Sequence, residues 1–190
     1  MIYKLVTEFN QDIIHRAFEP KDYRKTYKLR MQDADVYKTA DINISDSLES
    51  EMQWVNNVIF LHENDEEIWL IIEEEFKKKS FGIISLLNID YVNRSAELEV
   101  VLEKKYSDKG YFTDSVSLLL KHGFNEIGLN RISAKISEKS IKLSKTFEAL
   151  GFFHEGVLIN ALKSKKNYQN IHVYSILRAE FAANLIKINE

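Results

Sequence analysis

The chain has 190 residues, 45% hydrophobic and 29% charged, a globular balance that excludes wholesale disorder and predicts one domain over residues 1–190. Its 26 basic and 29 acidic side chains leave a formal charge of -3, so there is no global attraction to nucleic acid or to an anionic membrane, and any polyanion site has to be local. The absence of cysteine excludes disulfide frameworks, thiolate metal sites and cysteine nucleophiles. No window approaches the ~18 apolar residues of a spanning helix, and residues 1–10 lack the basic start and apolar run of a secretion signal, so a cytoplasmic protein with no membrane partner is expected.

In chain order, Ile13, Ile14, Ala17 and Phe18 predict a strand, and Pro20 then opens a helix at its first turn. Tyr23, Tyr27 and Met31 carry that helix at helical spacing. Ser47 is placed as the N-cap of a second helix reaching His62, with two apolar stripes: Met52, Val55 and Ile59 on one, Trp54, Val58 and Leu61 on the next. Three β-type runs follow, Ile68–Ile72, Phe81–Ile89 and Ala96–Leu102, and predict an antiparallel meander. The charged segment Glu73–Ser80 between the first two reads as a solvated hairpin connection. Tyr111–Phe124 has the spacing of an amphipathic helix, and Arg131–Ile136 that of a strand. Glu138–Leu150 reads as a further helix with Leu143, Phe147 and Leu150 on one stripe, stopped at Gly151. Strands Phe152–Ile159 and Tyr168–Leu177 complete an α+β order.

Most catalytic signatures are absent: no G-x-S-x-G, H-E-x-x-H, Walker loop or G-x-G-x-x-G occurs. The histidines His15, His62, His122, His154 and His172 never share i, i+3 or i, i+4 spacing, which leaves no helical metal pair and predicts surface or cleft-rim positions. What remains is a strand, Leu98–Leu102, then Lys104-Lys105-Tyr106-Ser107-Asp108-Lys109-Gly110-Tyr111, then a helix. The first amides of a helix lack internal partners and carry positive potential, so a glycine-bearing approach with lysines beside it can cradle phosphate.

Ser107-Asp108-Lys109-Gly110-Tyr111-Phe112 resembles the acetyl-CoA loop Q/R-x-x-G-x-G/A of the GNAT N-acetyltransferases. The likeness continues in register through Gly82–Leu86 and Ile89–Glu97 upstream, and through Leu129–Ile132, Glu148–Phe152, Glu155-Gly156 and Val173–Leu177 downstream. These segments are similar to the ribosomal-protein (RimJ/RimL-like) and polyamine branch of that family, over nearly the whole chain. The resemblance implies a mixed, mostly antiparallel central sheet with a splayed strand pair and helices on both faces. It also implies acetyl-CoA as acetyl donor with no metal, held by Val100, Val101, Leu102, Ser107, Asp108, Lys109, Gly110, Tyr111, Phe112, Thr113 and Ser140. A homodimer is compatible with it.

Four positions depart from the family pattern. Ser107 stands at the Q/R position, Phe112 at the second small position, Ser140 where an asparagine is usual, and Phe147 where a tyrosine often serves as general acid. Phosphate binding by backbone amides survives the first two changes, but a phenyl ring cannot donate a proton. For the base, strand alternation places Glu97 and Glu99 on one face, their Cα atoms ~6.5–7 Å apart, with Leu98, Val100 and Leu102 on the other. The acceptor expected is a primary amine, from a protein N-terminus or a small molecule such as a polyamine or amino sugar. A non-catalytic acyl-CoA-binding protein with the same fold is the alternative, motivated by Ser140 and Phe147. The run Lys163-Ser164-Lys165-Lys166 is too short to make a nucleic-acid partner expected.

Overall fold

The structure, a computed structural model, describes residues 4–6, 13–32, 47–106, 110–164 and 167–182. Eight strands form one sheet in the order β1-β2-β3-β4-β5-β6-β8-β7. They are β1 (Lys4–Val6), β2 (Ile13–Ala17), β3 (Ile68–Glu74), β4 (Lys79–Asp90), β5 (Ser95–Leu102), β6 (Arg131–Ser137), β7 (Phe153–Ser164) and β8 (Asn167–Leu177). The helices are α1 (Tyr23–Gln32), α2 (Leu48–Glu63), α3 (Tyr111–His122) and α4 (Ser144–Ala149). Strands β2 to β5 are the antiparallel meander that the apolar runs predict. β1 adds an edge that the sequence pattern did not suggest. The parallel pair is β5 with β6, and α3 makes the crossover that parallel neighbours require.

Alternation along the strands divides the apolar residues between two cores, one on each face of the sheet. On one face Leu70, Ile84, Leu98 and Ile132 pack against Val116, Leu119 and Leu120 of α3 and Phe147 of α4. On the other, Trp69, Ile71, Ile83, Leu87 and Val101 pack against Leu29 of α1 and Val55 and Val58 of α2. Ser47 caps α2 by accepting from Ser50 N at 3.1 Å. The buried line of α2 is Glu51, Val55, Val58 and His62, narrower than two full apolar stripes: Met52 is exposed. Among the described residues no helix is long and apolar enough to cross a membrane.

Three sequence expectations change. The helix over Glu138–Leu150 is broken: a 3-10 turn spans Glu138–Leu143, Ser140 sits at φ -97° and ψ 16°, and only Ser144–Ala149 is α-helical. Ser137 caps the 3-10 turn by accepting from Lys139 N. The Glu73–Ser80 segment is a solvated hairpin connection only at its tip, residues 75–78, because β3 and β4 extend into it and both Glu73 and Glu74 are buried. Arg16 donates to Glu73 at 2.9 Å and to Asp22 at 2.8 Å, which makes Glu73 part of an ion cluster that ties β2 to β3. Finally, His15, His62 and His122 are buried rather than superficial, while His154 and His172 face each other across β7 and β8 at 3.2 Å.

His15 carries a testable consequence. Both its ring nitrogens are buried with no hydrogen-bond partner among the described residues, and burial, reinforced by His122, lowers its pKa to about 3. The unfolded chain takes up that proton below about pH 6.5, whereas the native chain does so only near pH 3, so stability falls as pH drops through this window. The loss is about 1.4 kcal/mol for each pH unit crossed. His15→Leu is expected to raise Tm and to flatten its decline between pH 6.5 and 4, read by thermal melts across that range. A variant whose Tm follows wild type at every pH would contradict this account.

Candidate active site

The pairing of β5 with β6 runs only from Ser95↔Arg131 to Leu98↔Ala134. β5 continues to Leu102 and β6 to Ser137, so beyond Leu98 the two strands part and the β5 edge facing β6 loses its partner. The cleft between them is lined by Glu97, Glu99, Val100 and Val101 of β5, and by Lys135, Ile136 and Ser137 of β6. Phe112, Ser140, Leu143 and Phe147 close its α3 and α4 side.

At the end of β5 the chain turns into α3. Gly110, the N-cap, has φ 78°, a left-handed conformation that glycine adopts without strain, and no side chain caps the helix. The N–H of Asp114 returns to Gly110 O at 3.0 Å, so the preceding amides, of Tyr111, Phe112 and Thr113, have no partner inside the helix. A Cβ at Gly110 would meet nothing within 4 Å, so backbone conformation rather than crowding demands glycine there.

The predicted cofactor residues thus divide. Val100, Val101, Phe112 and Ser140 line the cleft. Gly110 and Thr113 belong to the helix start beside it. Tyr111 turns its ring away, against Phe81 and Tyr106, with centroids 5.2 Å from each. Leu102 packs over Gly82. Ser107, Asp108 and Lys109 lie outside the described residues, as do Lys165 and Lys166 of the basic run.

Glu97 and Glu99 share the face opposite Leu98 and Val100, and their surroundings differ. Lys135 donates to Glu97 at 2.8 Å across the mouth of the cleft. Glu99 lies in the cross-strand row Trp69–Ser85–Glu99, beneath α1 and α2. Its Oε2 is buried without a hydrogen-bond partner among the described residues. Burial pushes the Glu99 carboxyl well above the ordinary carboxylate range; nearby Arg30 opposes the shift, and Glu97 adds to it.

Around Glu99 the second face supplies a small pocket that sequence reading missed, made by Arg30, Trp54, Trp69, Ile83, Ser85 and Val101. Arg30, fully buried, binds Glu51 at 2.9 Å and stacks on Trp54, its guanidinium carbon 4.0 Å from the ring centroid. Trp54 and Trp69 meet edge to face at 5.4 Å. Two signals were available: Glu51 and Trp54 three residues apart on a helix, and Ser85 as the one hydroxyl in the apolar run Gly82–Leu87.

Phe147 sits within an aromatic cluster, 5.5 Å from Phe112, 4.9 Å from Phe152 and 5.8 Å from Tyr174. Among the described residues the cleft wall holds no phenol, and its polar side chains are Glu97, Glu99, Lys135, Ser137 and Ser140.

Residues 12–153 match the sequence profile described as "Acetyltransferase (GNAT) domain". The chain belongs to the GNAT acetyltransferase family. It is 25% identical over 121 residues to the spermidine N(1)-acetyltransferase of Vibrio cholerae serotype O1, covering 64% of this chain and 69% of that one. It is 32% identical over 100 residues to the putative ribosomal N-acetyltransferase YdaF of Bacillus subtilis strain 168, covering 53% and 55% of the two chains. In fold it is similar to a crystal structure of spermidine N-acetyltransferase from Vibrio cholerae in complex with CoA and spermine. The TM-score there is 0.81 at 21% identity, over 91% of this chain and 99% of the other. The splayed strands, the helices on both faces and the glycine-led helix after β5 are therefore those of the GNAT fold. As a GNAT member, the chain is an N-acetyltransferase.

Proposed function

We propose that the acceptor is an α-amine, that of a peptide or protein N-terminus, and that Glu99 takes its proton. The observation that carries this is half-buried Glu99 where the strands part: its Oε2 is buried with no hydrogen-bond partner among the described residues, and that burial raises the pKa of the carboxyl. A base titrating nearer the working pH is the better proton acceptor in the transition state. The cleft fits acetyl-CoA on two counts: an unpaired β5 edge from Glu99 to Leu102 that can bond a pantetheine chain, and free amides at the α3 start that can hold pyrophosphate. Acetyl-CoA supplies the thioester carbonyl that the amine attacks and the thiol that leaves. Val100 and Val101 form the wall for the thioester arm, and Trp54 and Trp69 exclude water from the amine side. A thiol with a pKa of ~8.5 departs as thiolate near neutral pH at small cost, which suits a cleft without a phenol.

The choice of amine rests on magnitudes. A polyamine or lysine amine of pKa ~10.4 costs about 4 kcal/mol to deprotonate near pH 7.4, and an α-amine of ~7.8 about 0.5 kcal/mol. Spermidine acetylation by relatives favours a polyamine, but two of the carboxylates that could attract one are already paired with cations: Glu73 binds Arg16, and Glu74 binds Lys77. Thiol release from acetyl-CoA, measured over peptides with free N-termini, spermidine and amino sugars, tests the reading. Peptides are expected to show the highest kcat/KM. Turnover of spermidine alone would replace this acceptor, and silence across the whole panel would favour a non-catalytic acyl-CoA-binding role.

A further inference from the structure

A groove of about 510 Å³, within the ~300–1,000 Å³ range of ligand sites, lies between α1 and the β3–β4 turn. Its rim carries Lys25 and Lys28 of α1 and Lys77, Lys78 and Lys79 of the turn and β4; Leu29, Ile71 and Ile83 form its floor. In a chain of net charge -3, this is a local concentration of cations with few counterions. Glu103, the one acidic residue among its described lining residues, is bound by Lys105 at 2.6 Å. Glu74 takes Lys77 at 3.0 Å, and Lys25 reaches only the Ser80 hydroxyl at 3.3 Å. Lys28, Lys78 and Lys79 have no carboxylate partner among the described residues, and the Lys105 ammonium lies close enough to Lys79 to lower the latter's pKa. Lys78 holds φ 50°, a left-handed conformation that strains a side-chain-bearing L-residue and that glycine fills without strain.

The groove and the pocket around Glu99 share a wall. Ile83 is both the end of its floor and part of the pocket around Glu99, and Leu29 and Arg30, adjacent on α1, line the groove and the pocket respectively. Along β4, Ile83 is two residues from Ser85, the cross-strand partner of Glu99, and Lys79 is six residues from it. At ~3.4 Å per residue these are ~7 Å and ~20 Å, the reach of an extended peptide from about its third to its sixth residue. We propose that this groove is a specificity subsite for acidic acceptors, taking aspartate or glutamate side chains at about positions three to six after the acetylated α-amine. The inference rests on the peptide α-amine reading above and names the class of N-terminus that it selects. A basic rim also disfavours polycationic acceptors.

The test uses two peptides with the same first two residues, one acidic and one lysine-bearing at positions three to six, with wild type and with Lys28→Gln, Lys78→Gly, Lys79→Gln combined. Exposed ion pairs contribute ~0.2–1 kcal/mol each, so three lysines together predict a KM for the acidic peptide about tenfold below that for the basic one at low salt. The preference should fade with ionic strength, and the triple variant should bring the KM ratio towards one with the affinity for acetyl-CoA retained. Lys78→Gly alone relieves the turn, so a fall in acidic-peptide affinity without loss of Tm separates binding from folding. Equal or better use of the basic peptide overturns the proposal. So does a triple variant that loses acetyl-CoA affinity while its peptide preference stays, which would assign the lysines to the cofactor's phosphates. Fluorescence anisotropy of a C-terminally labelled acidic peptide is the second arm. If no peptide is acetylated, the α-amine reading fails; lysine-dependent binding in this arm would still support the groove, and no binding would end it.

Discussion

Glu99→Gln is expected to lower kcat/KM by about 10²–10⁴-fold, the usual contribution of a placed acid or base. Glutamine keeps the shape of the side chain and its fit beside Ser85 and Trp69 while removing basicity. Free Glu99 has to be ionised to accept the proton, and burial holds it protonated well above the ordinary carboxylate range, so wild-type kcat/KM should rise with pH through that raised pKa. The variant should lose this limb and keep only the limb set by the amine itself, measured with one peptide throughout. Stability moves in the opposite direction. Above the pKa of an unfolded glutamate the native carboxyl still binds its proton while the unfolded chain has released it, so wild type loses stability as pH rises through this window. Glu99→Gln should therefore melt higher than wild type at pH 8 and nearly with it at pH 4. Glu97→Gln is the matched control, since Glu97 is already engaged by Lys135 and is expected to cost far less. Full activity in Glu99→Gln across pH would move the base elsewhere.

Gly110→Val is expected to weaken acetyl-CoA binding by about ten- to thirtyfold with the fold retained. The space at Gly110 is open, so the cost lies in the backbone: φ 78° is left-handed, and an L-residue there pays about 1–2 kcal/mol, more for a β-branched one. If valine relieves that strain by leaving the conformation, the first amides of α3 turn away from the phosphates; 1.4 kcal/mol corresponds to tenfold in Kd. Asparagine visits the left-handed region more readily, so Gly110→Asn should keep most of the affinity. Calorimetric titration of acetyl-CoA into the two variants distinguishes conformation from bulk. Equal, wild-type affinities for both would place the pyrophosphate away from this turn.

Much of the fold was legible because its signals are local. Runs rich in Ile, Val, Leu and aromatics mark β3, β4 and β5, and alternation along β5 puts Glu97 and Glu99 on the face opposite Leu98 and Val100. A glycine between a strand and an amphipathic helix marks the start of α3. Helix breaking at Ser140 was not legible, because Leu143, Phe147 and Leu150 keep helical spacing through the 3-10 turn.

By itself, then, the sequence determined the order of strands and helices from β2 onward, the GNAT likeness, and the pair of carboxylates that share a face, since each depends on residues close together in the chain. It could not choose between Glu97 and Glu99, which are chemically identical and two positions apart. Tertiary structure gives the two different surroundings through partners far away in sequence: Lys135 meets Glu97, while Trp69, Ser85 and Arg30, brought in from β3, β4 and α1, enclose the Glu99 side. The same holds for the lysines. Lys28 and Lys78 read as ordinary surface charge along the chain, and only the packing of α1 against the β3–β4 turn gathers them on one rim, because charge acts through space rather than along the sequence.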